Sequence, residues 1–290
     1  MIRFPHGAIR NMKVTVTGAA GRLGSVVCTT LATAGMDLLA TDRNYRADLP
    51  VRLQIADLLD RQSAYGLVEG ADAVVHLGNH PGFWGGDAQR ICNENVTMNF
   101  NVFEAARQCG VKRIVFASTI QVIAGARRME KPQPPPSALP YLPLDGEVPP
   151  NPANPYALSK QLSEHMLAYF SRAHGMSCVA IRFPLLVSAD RLAEMTGRAE
   201  EPWPNYALDE AFSYLSLNDA AQLVCAILRA ELPGFRVYFP VSPRPLVRQP
   251  VAELIKRYFS NVPLRAPLEQ ITALVDVSRI TAETGWRPAD

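Results

Sequence analysis

The sequence predicts an α/β fold, a doubly wound parallel sheet with helices on both faces and a small C-terminal lobe. Three observations carry this expectation. Short apolar and β-branched runs alternate with helical stripes from residue 13 to residue 183. The first run passes through a glycine turn directly into a helix. The run over residues 73–77 is apolar in the manner of parallel strands, which are buried on both faces.

Residues 13–17, Lys-Val-Thr-Val-Thr, alternate and are β-branched, so they read as a strand. They run into Gly18-Ala-Ala-Gly21-Arg-Leu-Gly24, after which Val26, Val27, Leu31 and Ala34 form a helical stripe closed by Gly35. In that context the glycines let the backbone approach a pyrophosphate, which the positive end of the helix attracts. The spacing is GxxGxxG rather than GxGxxG. Gly18, Gly21, Arg22, Leu23 and Gly24 are therefore expected at a dinucleotide, in a fold of the Rossmann kind.

A second strand over 37–41 ends at Asp42, eighteen residues past Gly24. A carboxylate there accepts from both ribose hydroxyls and repels a 2′-phosphate, which favours NAD over NADP. Arg43 argues the other way, because a guanidinium pairs with such a phosphate. A plain turn residue is the alternative for Asp42. Residues 51–56 and 73–77 read as the third and fourth strands. Asp57 and Leu58 follow one, and Leu77 ends the other with Gly78, Asn79 and His80 after it, at the strand ends where open α/β sheets bind ligands.

A helix over 90–108 carries Asn95 and Asn99. A fifth strand over 113–117 leads to Ser118 and Thr119, either turn caps or hydroxyls beside a cofactor. Residues 131–155 are dense in proline, which excludes a helix or an interior strand. That segment reads as one long extended loop, a lid over the site or else a passive linker.

Pro152 and Pro155 lead into Tyr156-Ala-Leu-Ser-Lys160 and a periodic run through Leu162, Met166 and Phe170. The run reads as a helix, so Tyr156 and Lys160 stand one turn apart on one face. A lysine cation near a phenol lowers its pKa from an ordinary value of about 10, and the pair can then move a proton on and off a hydroxyl. By itself this spacing also occurs on ordinary solvated helices. The glycine turn upstream gives it meaning. A sixth strand over 177–183 ends in Arg182-Phe183. Residues 12–183 are assigned to the dinucleotide-binding domain and 184–290 mostly to the small substrate lobe, with 212–240 returning to the first domain.

A net charge of +2 gives no reason to expect nucleic acid or an acidic membrane as partner. No apolar run reaches the roughly 18 residues of a membrane span. Residues 1–11 lack the apolar core of a secretory signal. Five cysteines are scattered without metal or disulfide spacing, so a cytoplasmic protein with free thiols and no metal is expected. Apolar residues spread around both long helices: Val96, Phe100, Val102, Phe103 and Ala106 on 90–108, and Leu158, Leu162, Met166, Leu167, Tyr169 and Phe170 on 156–172. One stripe suffices to cover a sheet, and the surplus predicts a homodimer interface, the alternative being that the proline-dense loop covers it within one chain.

Taken jointly, Thr17-Gly18-Ala-Ala-Gly21-Arg-Leu-Gly24, Asp42, Asp57, His76-Leu-Gly, Asn95, Phe116-Ala-Ser-Thr119, Pro155-Tyr156-Ala-Leu-Ser-Lys160 and Gly285-Trp-Arg-Pro288 resemble the extended short-chain dehydrogenase/reductase family, also called the NAD-dependent epimerase/dehydratase family. The likeness covers the chain from Met12 onward, and its nearest look is to uronate dehydrogenase-like members. It implies NAD as cofactor, Tyr156 as general acid/base, and Lys160 as the group that lowers the tyrosine's pKa and holds the nicotinamide ribose. It also implies Thr119, with neighbouring Ser118, as the substrate-orienting hydroxyl, and Asn95 as support for the lysine. Phe183 is expected against the cofactor, and Asn79, His80, Gln121 and Arg182 against the substrate.

Sugar-nucleotide dehydratases of the family carry Asp-Glu after the threonine. Here Ile120 and Gln121 stand there and cannot deliver those protons. The segment after the sixth strand is short, which favours a sugar or sugar acid over a nucleotide sugar. Hydride transfer at a secondary hydroxyl is the expected reaction, with an epimerase or a non-catalytic dinucleotide sensor as alternatives.

Overall fold

The structure, a computed structural model, describes residues 12–82, 86–125, 139–197 and 205–289. Along the first half run β1 (Lys13–Thr17), α1 (Arg22–Thr33), β2 (Asp37–Asp42), β3 (Leu53–Ile55), α2 (Arg61–Val68), β4 (Ala73–His76), α3 (Ala88–Gln108), β5 (Arg113–Thr119), α4 (Pro155–His174) and β6 (Ser177–Phe183). Then come β7 (Leu185–Val187), α5 (Ala189–Gly197), α6 (Asn205–Asp209), β8 (Tyr214–Ser216), α7 (Leu217–Arg229), β9 (Phe235–Tyr238), α8 (Val251–Tyr258) and α9 (Ser278–Thr284). Seven strands make one sheet in the order β3-β2-β1-β4-β5-β6-β9, every neighbouring pair parallel. This is the doubly wound sheet that the alternation predicts.

Strand alternation feeds two cores. Val115 of β5 joins the layer under α1 and α7, while its neighbours Ile114 and Phe116 join the layer under α2, α3 and α4. Both faces are thus covered, which is why these strands read as apolar runs. The strand order reverses between β1 and β4, and a crevice opens beyond the carboxyl ends of the strands at such a point.

A third core builds the lobe from Ile120, Leu142, Leu144, Phe212, Phe239, Leu254, Phe259 and Leu274, among others. The proline-dense segment enters it. Leu142 donates its N–H to Pro263 O and accepts from Arg265 N; Leu144 does the same with Leu274 O and Asp276 N. Only residues 142 and 144 use the ladder, so Pro143 between them forfeits no bond. The expectation of a lid or linker is corrected for this part: residues 139–148 are a strap docked on the lobe, and among 139–155 none lines the main cleft. Residues 131–138 lie outside the described residues, as do 1–11.

The lobe also holds a tight turn. α6 ends with Ala211 N–H to Leu208 O and Phe212 N–H to Ala207 O, the reciprocal pattern of a Schellman motif. Ala211 and Phe212 both have positive φ, 49° and 53°, at a cost of roughly 1–2 kcal/mol each. Phe212 is 2% exposed and packs against Tyr258 and Phe259, burial that offsets the strain.

Candidate active site

The glycine turn is shaped by contact at two of its three positions. Gly18 has φ of 69°, and a Cβ on it would lie 2.7 Å from Leu77 C and Gly78 N. A Cβ on Gly24 would lie 2.1 Å from Gly18 O, so a methyl there would push the helix off the turn. Gly21 caps α1 without a side-chain hydrogen bond, and the first turn carries no acid. The leading N–H groups of α1 are left facing the cleft, the arrangement that receives a phosphate. The residues present therefore fit a dinucleotide pyrophosphate.

At the β2 end, Asp42 Oδ2 accepts from Ala20 N at 3.1 Å and Oδ1 from Asn44 N at 3.0 Å. Each oxygen keeps a lone pair for a ribose hydroxyl. Arg43 is exposed on the cleft rim. Arg46, which sequence reasoning passed over, also lines the cleft but is spent on Asp48 at 2.7 Å and Ala20 O at 3.2 Å. Asp57 closes its own turn by accepting from Leu59 N.

Helix α4 brings Tyr156 and Lys160 to the cleft. Asn154 caps the helix by accepting from Ala157 N at 2.8 Å, and Pro155 at the first position needs no donor. Tyr156 in the first turn is 8% exposed and packs against Ile91. One turn later Lys160 is buried, its Nζ donating to Asn79 Oδ1 at 2.6 Å and to Ala117 O at 2.7 Å. Nζ also lies 4.5 Å from the Phe116 ring centroid and 5.7 Å from that of Tyr156. Burial pushes the Lys160 pKa down to about 7, against the upward pull of the Glu164 carboxylate.

Two buried networks flank this pair. In the first, Asn79 Nδ2 donates to Asn99 Oδ1 at 2.7 Å, and Asn99 Nδ2 donates to Ser163 Oγ at 2.6 Å. His76 Nε2 sits 2.8 Å from Asn99 Oδ1, and His76 Nδ1 sits 2.6 Å from Thr17 Oγ1. Because Asn99 Oδ1 only accepts, His76 donates from Nε2 and accepts at Nδ1 from the threonine. Burial, with the Lys160 charge adding to it, holds this imidazole neutral with a pKa of about 3. In the second network Ser118 Oγ donates to Glu164 Oε1 at 2.6 Å, and Arg182 grips the same carboxylate at 3.0 and 2.8 Å.

All these groups face or back one cleft of about 960 Å³. It is lined by every predicted cofactor residue: Gly18, Gly21, Arg22, Leu23, Gly24, Asp42, Arg43, Asp57, Leu58, Leu77, Gly78, Asn79, Tyr156, Lys160 and Phe183. Thr119, Ser118, His80 and Gln121 line it too. Thr119 Oγ1 accepts from Gln121 N at 3.3 Å. Gln121 Oε1 accepts from Asn154 Nδ2 at 3.2 Å, which joins the strand tip to the helix cap. His80 Nε2 is 2.6 Å from Glu94 Oε2, and Arg90 donates to the other oxygen of Glu94.

Two predicted residues stand elsewhere. Arg182 does not line the cleft: it is 3% exposed and its donors are spent on Glu164 and on Val148 O at 2.7 Å, so the substrate contact expected of it is withdrawn. Asn95 does not reach Lys160. Its Oδ1 accepts from His80 N at 2.8 Å and its Nδ2 donates to Ser159 Oγ at 3.1 Å, so it secures the loop after β4. Asn79 takes the place at the lysine expected for Asn95.

Residues 14–230 match the NAD dependent epimerase/dehydratase family, and the chain belongs to it. Among curated relatives, a uronate dehydrogenase of Pseudomonas syringae pv. tomato is 32% identical over 177 residues, 59% of this chain and 58% of that protein. An L-arabinose 1-dehydrogenase (NAD(P)(+)) of Haloferax volcanii is 30% identical over 234 residues, 76% of this chain and 84% of the relative. The crystal structure of a UDP-galactose 4-epimerase superposes with a TM-score of 0.67 at 23% identity, covering 96% of this chain and 94% of the other, a likeness of fold.

Proposed function

We propose that this protein is an NAD-dependent oxidoreductase that transfers hydride at a secondary hydroxyl or keto carbon of a sugar or sugar acid. The observation that carries the reading is the placing of Tyr156 and Lys160 one turn apart on the wall of the same cleft that the glycine turn opens. Bound there, the nicotinamide ring supplies the hydride acceptor. Tyr156 takes the proton of the substrate hydroxyl as the carbon–oxygen bond becomes double. Thr119, whose oxygen is engaged as an acceptor by Gln121 N, keeps its own proton to donate to the substrate oxygen. Lys160 favours the phenolate through its charge and is placed to hold the ribose. His80 and Gln121 contribute polar groups to the wall that meets the substrate.

The names of the relatives support substrates of this class. Asp42 supports NAD over NADP. We further infer a cytoplasmic homodimer. Phe100 on α3 and Leu158, Leu162 and Tyr169 on α4 are 41–46% exposed and form an apolar face behind the catalytic helix. The five cysteines are free, and among the described residues no helix is long and apolar enough to cross a membrane.

The deciding experiment supplies NAD with a panel of aldoses and uronates and follows NADH absorbance. Net NADH with oxidised product supports the reading. Product without net NADH identifies an epimerase, and NAD binding with no turnover identifies a sensor; either outcome overturns it.

A further inference from the structure

We infer that Asn79, locked by Asn99 and His76, is the positioning residue of the active-site lysine in this chain. The inference rests on the oxidoreductase reading for its kinetic consequence, and on hydrogen-bond geometry alone for its structural one.

The direction of every bond in the network is determined. Thr17 Oγ1 accepts from Leu77 N at 3.2 Å and from Gly78 N at 3.1 Å, so its own proton goes to His76 Nδ1. His76 then carries its proton on Nε2 and gives it to Asn99 Oδ1. Ser163 Oγ donates to Ser159 O at 2.7 Å and so accepts from Asn99 Nδ2, which fixes the Asn99 amide. Asn79 in turn donates both protons of its amide nitrogen, to Gly78 O at 2.7 Å and to Asn99 Oδ1 at 2.7 Å. Only its oxygen is left to face the lysine. Turning any one amide over would set donor against donor in a site where His76 and Asn99 are fully buried.

The side-chain acceptor for Lys160 is thereby fixed on the loop that faces the glycine turn. An acceptor at 2.6 Å favours the ammonium over the neutral amine. The ionisable groups around Nζ are Tyr156 and Glu164 on its own helix and neutral His76 from β4. β5 presents the Ala117 carbonyl and the Phe116 ring, neither of which titrates. Removing the Asn79 acceptor lowers the proton affinity of the lysine, and the onset of the phenolate moves to higher pH.

The test titrates the empty protein by NMR with 13C at the lysine Cε. The sequence holds five lysines, and the Lys160 signal is the one lost in Lys160→Met. In Asn79→Leu the Lys160 titration is expected about one pH unit or more below that of the wild type, in Asn99→Leu lower by a smaller amount, and in Asn95→Ala unmoved. Asn79→Ala replaces Asn79→Leu if the larger side chain prevents folding. The acid limb of kcat/KM for oxidation should move up by a similar amount in the Asn79 variant, with activity recovered at higher pH; a purely structural defect lowers activity at every pH. An unmoved Lys160 titration in both Asn79 variants overturns the inference. Wild-type turnover in Tyr156→Phe would instead overturn the oxidoreductase reading, and the NMR result would stand apart from it.

Discussion

The hydroxyl of Ser118 donates to Oε1 of Glu164 across 2.6 Å, and this bond separates the roles of two adjacent hydroxyls. Ser118 has committed its proton to a buried carboxylate. Thr119 beside it has not, because its oxygen serves the backbone only as an acceptor. Thr119→Val should therefore lower kcat by about 10- to 100-fold, and Tyr156→Phe by at least about 100-fold, each with NAD affinity little changed. Ser118→Ala should show itself mainly as a lower melting temperature. Steady-state kinetics beside thermal melts checks the set, and a larger kinetic loss in Ser118→Ala than in Thr119→Val would reverse the assignment.

Arg182 gives a stability prediction. Arg182→Met leaves Glu164 buried without its cation, which costs about 3–5 kcal/mol in such settings. Adding Glu164→Gln removes the orphaned charge and keeps an acceptor for Ser118, so the double variant should regain most of the loss. Urea unfolding measures both. A stable Arg182→Met with a raised KM would restore the substrate role that the sequence reading gave it.

Cofactor choice turns on Asp42. NAD should bind at least about tenfold more tightly than NADP, and Asp42→Ala should narrow that ratio while Arg43 remains to pair with a 2′-phosphate. Fluorescence titration with each cofactor decides it, and tighter NADP binding by the wild type would mean the arginine prevails.

Lys160 and His76 make the empty protein sensitive to pH with a definite sign. Both have folded pKa values depressed below their ordinary ones, to about 7 and about 3. The unfolded chain binds the extra proton, so stability falls as pH falls, between about 10.5 and 7 for the lysine and between about 6.5 and 3 for the histidine. Lys160→Met should abolish the first slope and raise the melting temperature at pH 7 by on the order of 5 °C while removing activity. Calorimetry across this range tests the sign. A melting temperature for Lys160→Met below the wild type at pH 7 would contradict it.

The apolar face of Phe100, Leu158, Leu162 and Tyr169 predicts assembly. Light scattering at micromolar concentration should give twice the chain mass of 31.8 kDa, and Leu162→Glu should return it to the single mass. A wild type already at 31.8 kDa would remove the homodimer from the account.

Much of the site was legible because its signals are local. The glycines, Asp42, Tyr156 and Lys160 each lie at a strand end or in the first turns of a helix, and their spacing carries their geometry. Arg182 misled because β6 is buried on both faces, so its alternation does not tell the cleft side from the core side. Its partner Glu164 comes from another element. Asn79 and Asn99 meet only because β4 and α3 are brought together, and neither has a periodic signature. The left-handed turn at Ala211 and Phe212 carries no glycine to announce it. The strap over 139–148 could not be read from a proline count, which says what the chain cannot form but not what it rests on.

That strap runs on into α4, and its anchorage has a mechanical result. Between the lobe and Tyr156 it is fastened repeatedly: Leu142 and Leu144 to the lobe backbone, Asp145 to Arg265, Glu147 to Arg279, Val148 O to Arg182, and Asn151 N to Val122 O at 2.7 Å. Little slack is left between the lobe and the first turn of α4. The anchorage therefore sets where the first turn of α4 begins, and changing the length of this segment by a residue would re-aim Tyr156 without substituting any residue that lines the cleft.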